Sequence, residues 1–282
     1  MADLILSMVI FGTIGIFRRY LPLSSGMIAF CRGLTGSLFL VLLVRLRGKR
    51  LLHNIGRNKT VWLIVSGALI GLNWIFLFEA YNETTVQVAT LCYYMEPTIV
   101  ILASSVLFGE KLTRTKAVCA GLALVGMVLV SGVLEGGAGA GNGAKGIAYG
   151  LVAAVLYSCV VLMNKKAAGI DPYEKTVIQL LSAALVMVPY LALTEDFAAI
   201  EWSTQTIILL AIVGIVHTGF AYALYFGSID RLKAQTVALL SYIDPITALV
   251  LSALILGERL TAAGMIGAVL ILGSAVVGET KG

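Results

Sequence analysis

Two acid–proline pairs stand inside long apolar runs, Glu96-Pro97 and Asp244-Pro245. A charge held in hydrocarbon is costly and needs a reason. Proline removes a backbone donor and disturbs the turn before it, which frees a carbonyl. A carboxylate beside freed carbonyls can bind a cation or a substrate ammonium, or take up and release a proton. It can equally tie its own helix to a donor on a neighbour. Arg32 lies within another apolar run, where a guanidinium needs a partner. That partner is either a substrate carboxylate or an internal acid, Glu79 or Glu96. Glu79 sits near the end of its run, as a gate for cations or as a side chain snorkelling to water. His217 lies in mid-run, as a proton relay or as a neutral histidine bonded within the fold. Around these acids and bases fall Trp74, Phe78, Tyr93, Tyr94, Tyr157, Tyr222, Tyr225 and Tyr242. Their faces suit an organic cation or the apolar part of an amino acid or drug, and they equally suit core packing. Asn73 and Gln179 offer neutral hydrogen bonds with the same ambiguity.

The elements that hold these residues are membrane helices. The chain is 59% hydrophobic and 12% charged, with a mean hydropathy of +0.97. Soluble domains carry about 25% charge, so too little polar surface remains to cover a globule in water. The apolar residues fall in blocks of about 20, the length that crosses a bilayer as a helix. The blocks predict ten spans, near 2–18, 24–44, 60–80, 84–108, 113–133, 146–165, 173–194, 203–226, 234–256 and 262–278. Asp3 and the lack of a cationic start mark the first block as a retained span rather than a cleaved signal. The glycine-rich stretch 135–143 reads as a linker. It lacks the strand and the Gly-Lys-Ser/Thr of a phosphate loop. Cys31, Cys92, Cys119 and Cys159 lie in apolar blocks without metal-ligand spacing, and no metal or cofactor is expected.

The net charge of +5 reflects topology, not nucleic-acid binding, because the Lys and Arg sit mostly in short loops. With the N-terminus inside, fifteen of them fall in inside segments; Arg18, Arg19, Lys145 and Arg259 fall outside. The acidic loop from Glu195-Asp196 to Glu201 also falls outside. Both termini are therefore expected in the cytoplasm of a multi-pass plasma (inner) membrane protein.

The acid–proline pairs are part of a repeat at an offset of 148. One copy runs Leu91-Cys92-Tyr93-Tyr94-Met95-Glu96-Pro97, then Leu107-Phe108-Gly109-Glu110-Lys111-Leu112-Thr113. The other runs Leu239-Leu240-Ser241-Tyr242-Ile243-Asp244-Pro245, then Ile255-Leu256-Gly257-Glu258-Arg259-Leu260-Thr261. Gly71, Trp74 and Phe78 match Gly219, Tyr222 and Phe226 at the same offset. The copies are five spans apart, an odd number, so they cross the membrane in opposite directions. This predicts two inverted five-helix repeats, 1–133 and 146–282, joined by a linker at 134–145. It puts Glu96 and Asp244 at equal depth near the midplane. Glu110 and Glu258 read as anchors of tight helical turns that bond backbone or pair locally, with Thr113 and Thr261 capping the helices that follow.

Ten spans in two halves, each with Pro and then Gly-Glu-Lys/Arg-Leu-Thr, resemble the drug/metabolite transporter superfamily, EamA type. The resemblance covers essentially the whole chain. It implies alternating access about a central cavity lined by the first four spans of each half, with the fifth and tenth spans serving packing or dimer contact. It implies a small-molecule substrate among amino acids, amines, drugs and other metabolites. No ATP-binding motif is present, so the energy would come from a gradient, with protons as a candidate coupling ion and an uncoupled facilitator as the alternative. His53 and His217 lie far apart, and no nucleophile–base set appears, so an enzyme or a lipid-handling protein is disfavoured. Gly121, Gly126, Gly132, Gly264, Gly267 and Gly273 permit close packing, within a monomer or across a homodimer.

Overall fold

Apolar residues continuous over twenty positions leave the backbone no partner but itself, so the chain folds into helices. The computed structural model describes residues 1–48, 56–107, 112–130, 142–166, 169–198, 200, 202–229 and 240–281. Their regular structure is entirely helical: the protein is an all-α membrane protein. Among the described residues, six helices are long and apolar enough to cross a bilayer, and shorter apolar ones accompany them. Outward-facing Val106, Leu193, Leu254 and Val269 are largely exposed, as expected of side chains that meet lipid.

The first apolar block is two helices, α1 (Ala2–Gly12) and α2 (Ile14–Tyr20), which part at Thr13. Next come α3 (Ser25–Leu46) and α4 (Arg57–Glu83). The fourth block is also broken, into α5 (Val86–Tyr93) and α6 (Glu96–Leu107). After α7 (Arg114–Val130) come α8 (Asn142–Lys166) and α9 (Pro172–Thr194). The eighth block starts as α10 (Thr204–Ala211), widens to a π-helix over Ile212–Phe220 and returns to α11 (Ala221–Ile229). The chain ends in α12 (Ile243–Ile255) and α13 (Ala262–Lys281).

Helix starts follow their capping residues. The hydroxyls of Ser24, Thr85 and Ser203 each accept an amide three residues on, at 3.1 Å. Thr113 and Thr261 cap as the repeat predicts, accepting from Lys116 N (3.2 Å) and Gly264 N (3.0 Å). The linker expected at 134–145 lies mostly outside the described residues, and α8 already begins at Asn142. Gly109, Glu110 and Lys111 of the first repeat copy also lie outside them.

Packing interleaves the two parts of the chain. α4 lies on α8 and α9; α3 lies on α9 and the π-helix; α1 lies on α11 and α12; α5 and α6 lie on α8. α7 runs along α13. That last seam depends on two glycines: a Cβ on Gly126 would lie 2.7 Å from the carbonyl of Gly267, and one on Gly267 would lie 2.5 Å from that of Gly126. Close approach of small residues is the usual way helices associate in lipid, where apolar surface gains nothing by hiding from hydrocarbon. Gly121 and Gly273 face open space instead.

Candidate functional site

Both acid–proline pairs sit where a helix restarts. Pro97 cannot donate to the ladder, and the fourth block breaks just before it: Met95 N bonds back to Cys92 O (3.1 Å), and α6 begins at Glu96. Asp244 likewise falls in the first turn of α12, after the turn at Tyr242. Each carboxyl is thus at a helix N-terminus, where the free amides and the helix dipole favour negative charge. α1 can approach α12 there because residue 12 is glycine: a Cβ on Gly12 would lie 2.5 Å from Asp244 O and 2.7 Å from Thr247 Cβ.

The two acids line one cavity of about 320 Å³. Ten of the fifteen candidate residues border it: Arg32, Trp74, Tyr93, Tyr94, Glu96, Tyr157, Tyr222, Tyr225, Tyr242 and Asp244. The wall takes residues from α1, α2, α3, α4, α5, α6, α8, α11 and α12 with the turn before it, but none from α9, which packs behind α3 and α4. α7 and α13 contribute nothing to it either. Tyr94 lies against the Asp244 carboxyl. Tyr93 and Tyr157 face Glu96, and their rings meet at 5.7 Å. Phe11 stacks on Tyr222 at 5.3 Å.

Arg32 is buried, and no ion pair joins it to Glu79 or Glu96. Its Nε donates to the Thr218 hydroxyl at 3.1 Å, and its guanidinium lies 4.0 Å from the centre of the Trp74 ring. Thr218 in turn donates to Val213 O at 3.0 Å, five residues back, which is the spacing of a π-helix.

Five candidates fall elsewhere. Phe78 is fully buried against Arg32, and Gln179 donates to the Ser66 hydroxyl (2.6 Å) and to Asn164 Oδ1 (2.8 Å). Asn73 is fully buried and donates to Ala153 O at 2.6 Å, joining α4 to α8. His217 is buried away from the cavity; its Nε2 lies 2.7 Å from the Thr13 hydroxyl and its ring stands edge-on to Phe17. It links the π-helix to the break in the first block. Glu79 is half-buried, accepts from Asn82 (3.3 Å) and faces Arg18.

Residues the sequence did not single out complete the site. Thr90 borders the cavity with its buried hydroxyl unmatched by any described partner. Thr218 sets the direction of Arg32, and the one hint was a threonine beside His217 in an apolar run. Glu258 does not pair locally. Its carboxylate reaches Arg19 (3.3 Å) and the amide of Gln87 (3.3 Å), and its carbonyl accepts from the Gln87 side chain (3.2 Å). Arg19 also donates to Thr84 O (2.6 Å), and Lys145 pairs with Glu83 (2.6 Å) at the same end of the bundle.

This cavity, walled by helices from both parts of the chain, accompanies a family match over nearly its full length. The model of the EamA-like transporter family fits residues 3–132 and again 144–277. The chain belongs to that family. Family members similar to it include an "Uncharacterized transporter YxxF" of Bacillus subtilis, 28% identical over 91% of this chain and 81% of that protein. An "Uncharacterized transporter" of Archaeoglobus fulgidus is 26% identical over 98% and 94%. A "Probable amino-acid metabolite efflux pump" of Salmonella typhimurium is 30% identical over 58% of each chain. A solved crystal structure superposes with a TM-score of 0.69 over 97% of this chain and 94% of the other, at 20% identity, a likeness of fold. The protein is thus a multi-pass membrane transporter of a small molecule, not an enzyme.

Proposed function

We propose that this EamA-family protein is a secondary exporter of small cationic or zwitterionic amphipathic metabolites, such as amino acids or organic amines. The observation that carries the reading is the cavity itself, where Glu96 and Asp244, one from each repeat copy, face a tyrosine-rich wall with Arg32. Carboxyls and aromatic faces suit an ammonium group and an apolar body. The naming of one relative as an amino-acid metabolite efflux pump agrees with that chemistry.

The motion is alternating access between two inverted five-span halves, residues 1–133 and 146–282, in a ten-span plasma-membrane protein with both termini cytoplasmic. The packing supports the two halves. Exchanging each element for the one five spans away turns α4-on-α8 into the eighth span on α1, and α4-on-α9 into the π-helix on α3; both contacts occur. The family model also fits twice, once in each half.

Protons are the proposed coupling ion, carried by Glu96 or Asp244. The test is uptake of labelled substrate into proteoliposomes with and without a pH gradient. Coupling predicts that the gradient drives accumulation in the wild type and that Glu96→Gln or Asp244→Asn abolishes the dependence. Accumulation that follows the substrate gradient alone would make the protein a facilitator. Equal rates and pH dependence in both variants would defeat the role of these acids.

A further inference from the structure

We propose that Arg32 is the residue that selects a carboxylate on the substrate, and that Thr218 is its positioning residue. The proposal rests on the transport reading above and narrows it: the substrate is a zwitterion, and an amine without a carboxylate is refused.

An arginine carries five N–H donors in a planar fork that matches a carboxylate with two parallel bonds. In Arg32 the Nε donor is used, and among the described residues no other hydrogen bond of this side chain accompanies it. The groups that act electrostatically on the guanidinium to favour its charge are the phenols of Tyr222, Tyr93 and Tyr81, and no carboxylate is among them. Trp74 and Phe78 present ring faces at 4.0 and 5.5 Å, which suits a cation but supplies no countercharge. A buried charge whose polar partner is one neutral hydroxyl is expensive. Arg32 borders the cavity, so a ligand anion can complete it.

The surroundings are built to hold this direction. The Thr218 proton goes to Val213 O, which leaves the hydroxyl oxygen free to accept from Arg32 Nε. The widened turn of the π-helix provides that five-residue spacing. Gly36, one turn along α3 from Arg32, gives Thr218 its room; a Cβ there would collide with the threonine methyl. Asp244, which lines the same cavity, supplies the opposite charge. Tyr81 and Tyr222, also on the wall, each lie within electrostatic reach of both Arg32 and Asp244, so the two charges share a band of phenols. A zwitterion laid along that band meets Arg32 with its carboxylate and Asp244 with its ammonium.

The experiment uses purified full-length protein in proteoliposomes and matched probes: L-leucine against isoamylamine, and L-lysine against cadaverine. Each pair shares a side chain and differs in the carboxylate. The wild type should take at least one amino acid and discriminate against its amine by about 100-fold or more, because the amine leaves the fork unmatched. Arg32→Gln should raise the KM of that amino acid roughly 30–100-fold and erase the discrimination. Thr218→Val should raise KM about 3–10-fold with little loss of thermal stability, and Thr218→Ser should restore it. If Arg32→Gln fails to fold, the Thr218 pair carries the test. Equal use of amine and amino acid by the wild type overturns the proposal and leaves the transport reading intact. A normal KM in both Arg32→Gln and Thr218→Val also overturns it. If none of the four probes moves under any gradient, the substrate class proposed above falls with it.

Discussion

Glu258 joins two parts of the chain that lie far apart in sequence, and its removal should be measurable in kcal/mol. Its carboxylate makes two contacts, one to Arg19 Nη2 and one to Gln87 N, both at 3.3 Å. The Arg19 side chain is 32% exposed and that of Glu258 is 11% exposed, so the ion pair is partly screened and contributes about 0.2–1 kcal/mol. Gln87 lies in the first turn of α5, where a carboxylate facing the helix N-terminus adds about 0.3–1 kcal/mol. Glu258→Gln should therefore cost about 0.5–2 kcal/mol of this arrangement, a factor of roughly 2–30 in its population. Two assays read it. A double-mutant cycle of Glu258→Gln and Arg19→Gln on thermal unfolding should give a coupling of about 0.2–1 kcal/mol. A cysteine placed at Ser241, on the cavity wall and in a background with the native cysteines removed, should react faster with a membrane-impermeant maleimide added at the Arg19–Glu258 side when Glu258→Gln is present. If the two substitutions are additive and labelling is unchanged, the Arg19–Glu258–Gln87 joint does not hold that end of the bundle shut.

Other outcomes are expected from single residues. Gly126→Leu and Gly267→Leu should each destabilise the α7–α13 seam by about 1–3 kcal/mol or more, read as a lower midpoint in detergent, because each added side chain meets the opposite backbone. Gly121→Leu and Gly273→Leu should be near neutral in the same assay, since both face open space. Asn73→Leu should lower stability by about 1–3 kcal/mol through the lost bond to Ala153, with the substrate preference in transport unchanged. His217→Asn should loosen the link to Thr13 and slow transport while leaving its pH dependence in place; a lost dependence would return His217 to the proton path. Thr90→Val, isosteric but without the hydroxyl, should raise KM a few-fold if the unmatched hydroxyl meets the substrate.

The architecture was legible because the bilayer enforces it. Apolar blocks, loop charges and a repeat at an offset of 148 needed no tertiary information, and the acids before Pro97 and Pro245 declared themselves by their cost in hydrocarbon. The capping role of Thr113 and Thr261 was legible too, because a cap is a contact between neighbours in sequence. Pairings across the chain were not. Periodicity gives Arg32 a depth and a face but no partner. Only the packing of α3 on the π-helix and on α4 shows that it meets Thr218 and Trp74 instead of Glu79 or Glu96. The same gap made Glu258 read as a local anchor, whereas the fold brings it to Arg19 and Gln87. Composition and spacing thus determined that this chain spans a membrane as helices, and which charges lie at depth. Which of those charges share a cavity depended on helix crossings. These rely on glycines at 12, 36, 126 and 267; Gly126 and Gly267 were legible as packing positions, but which helix fills the space beside each glycine is a tertiary fact.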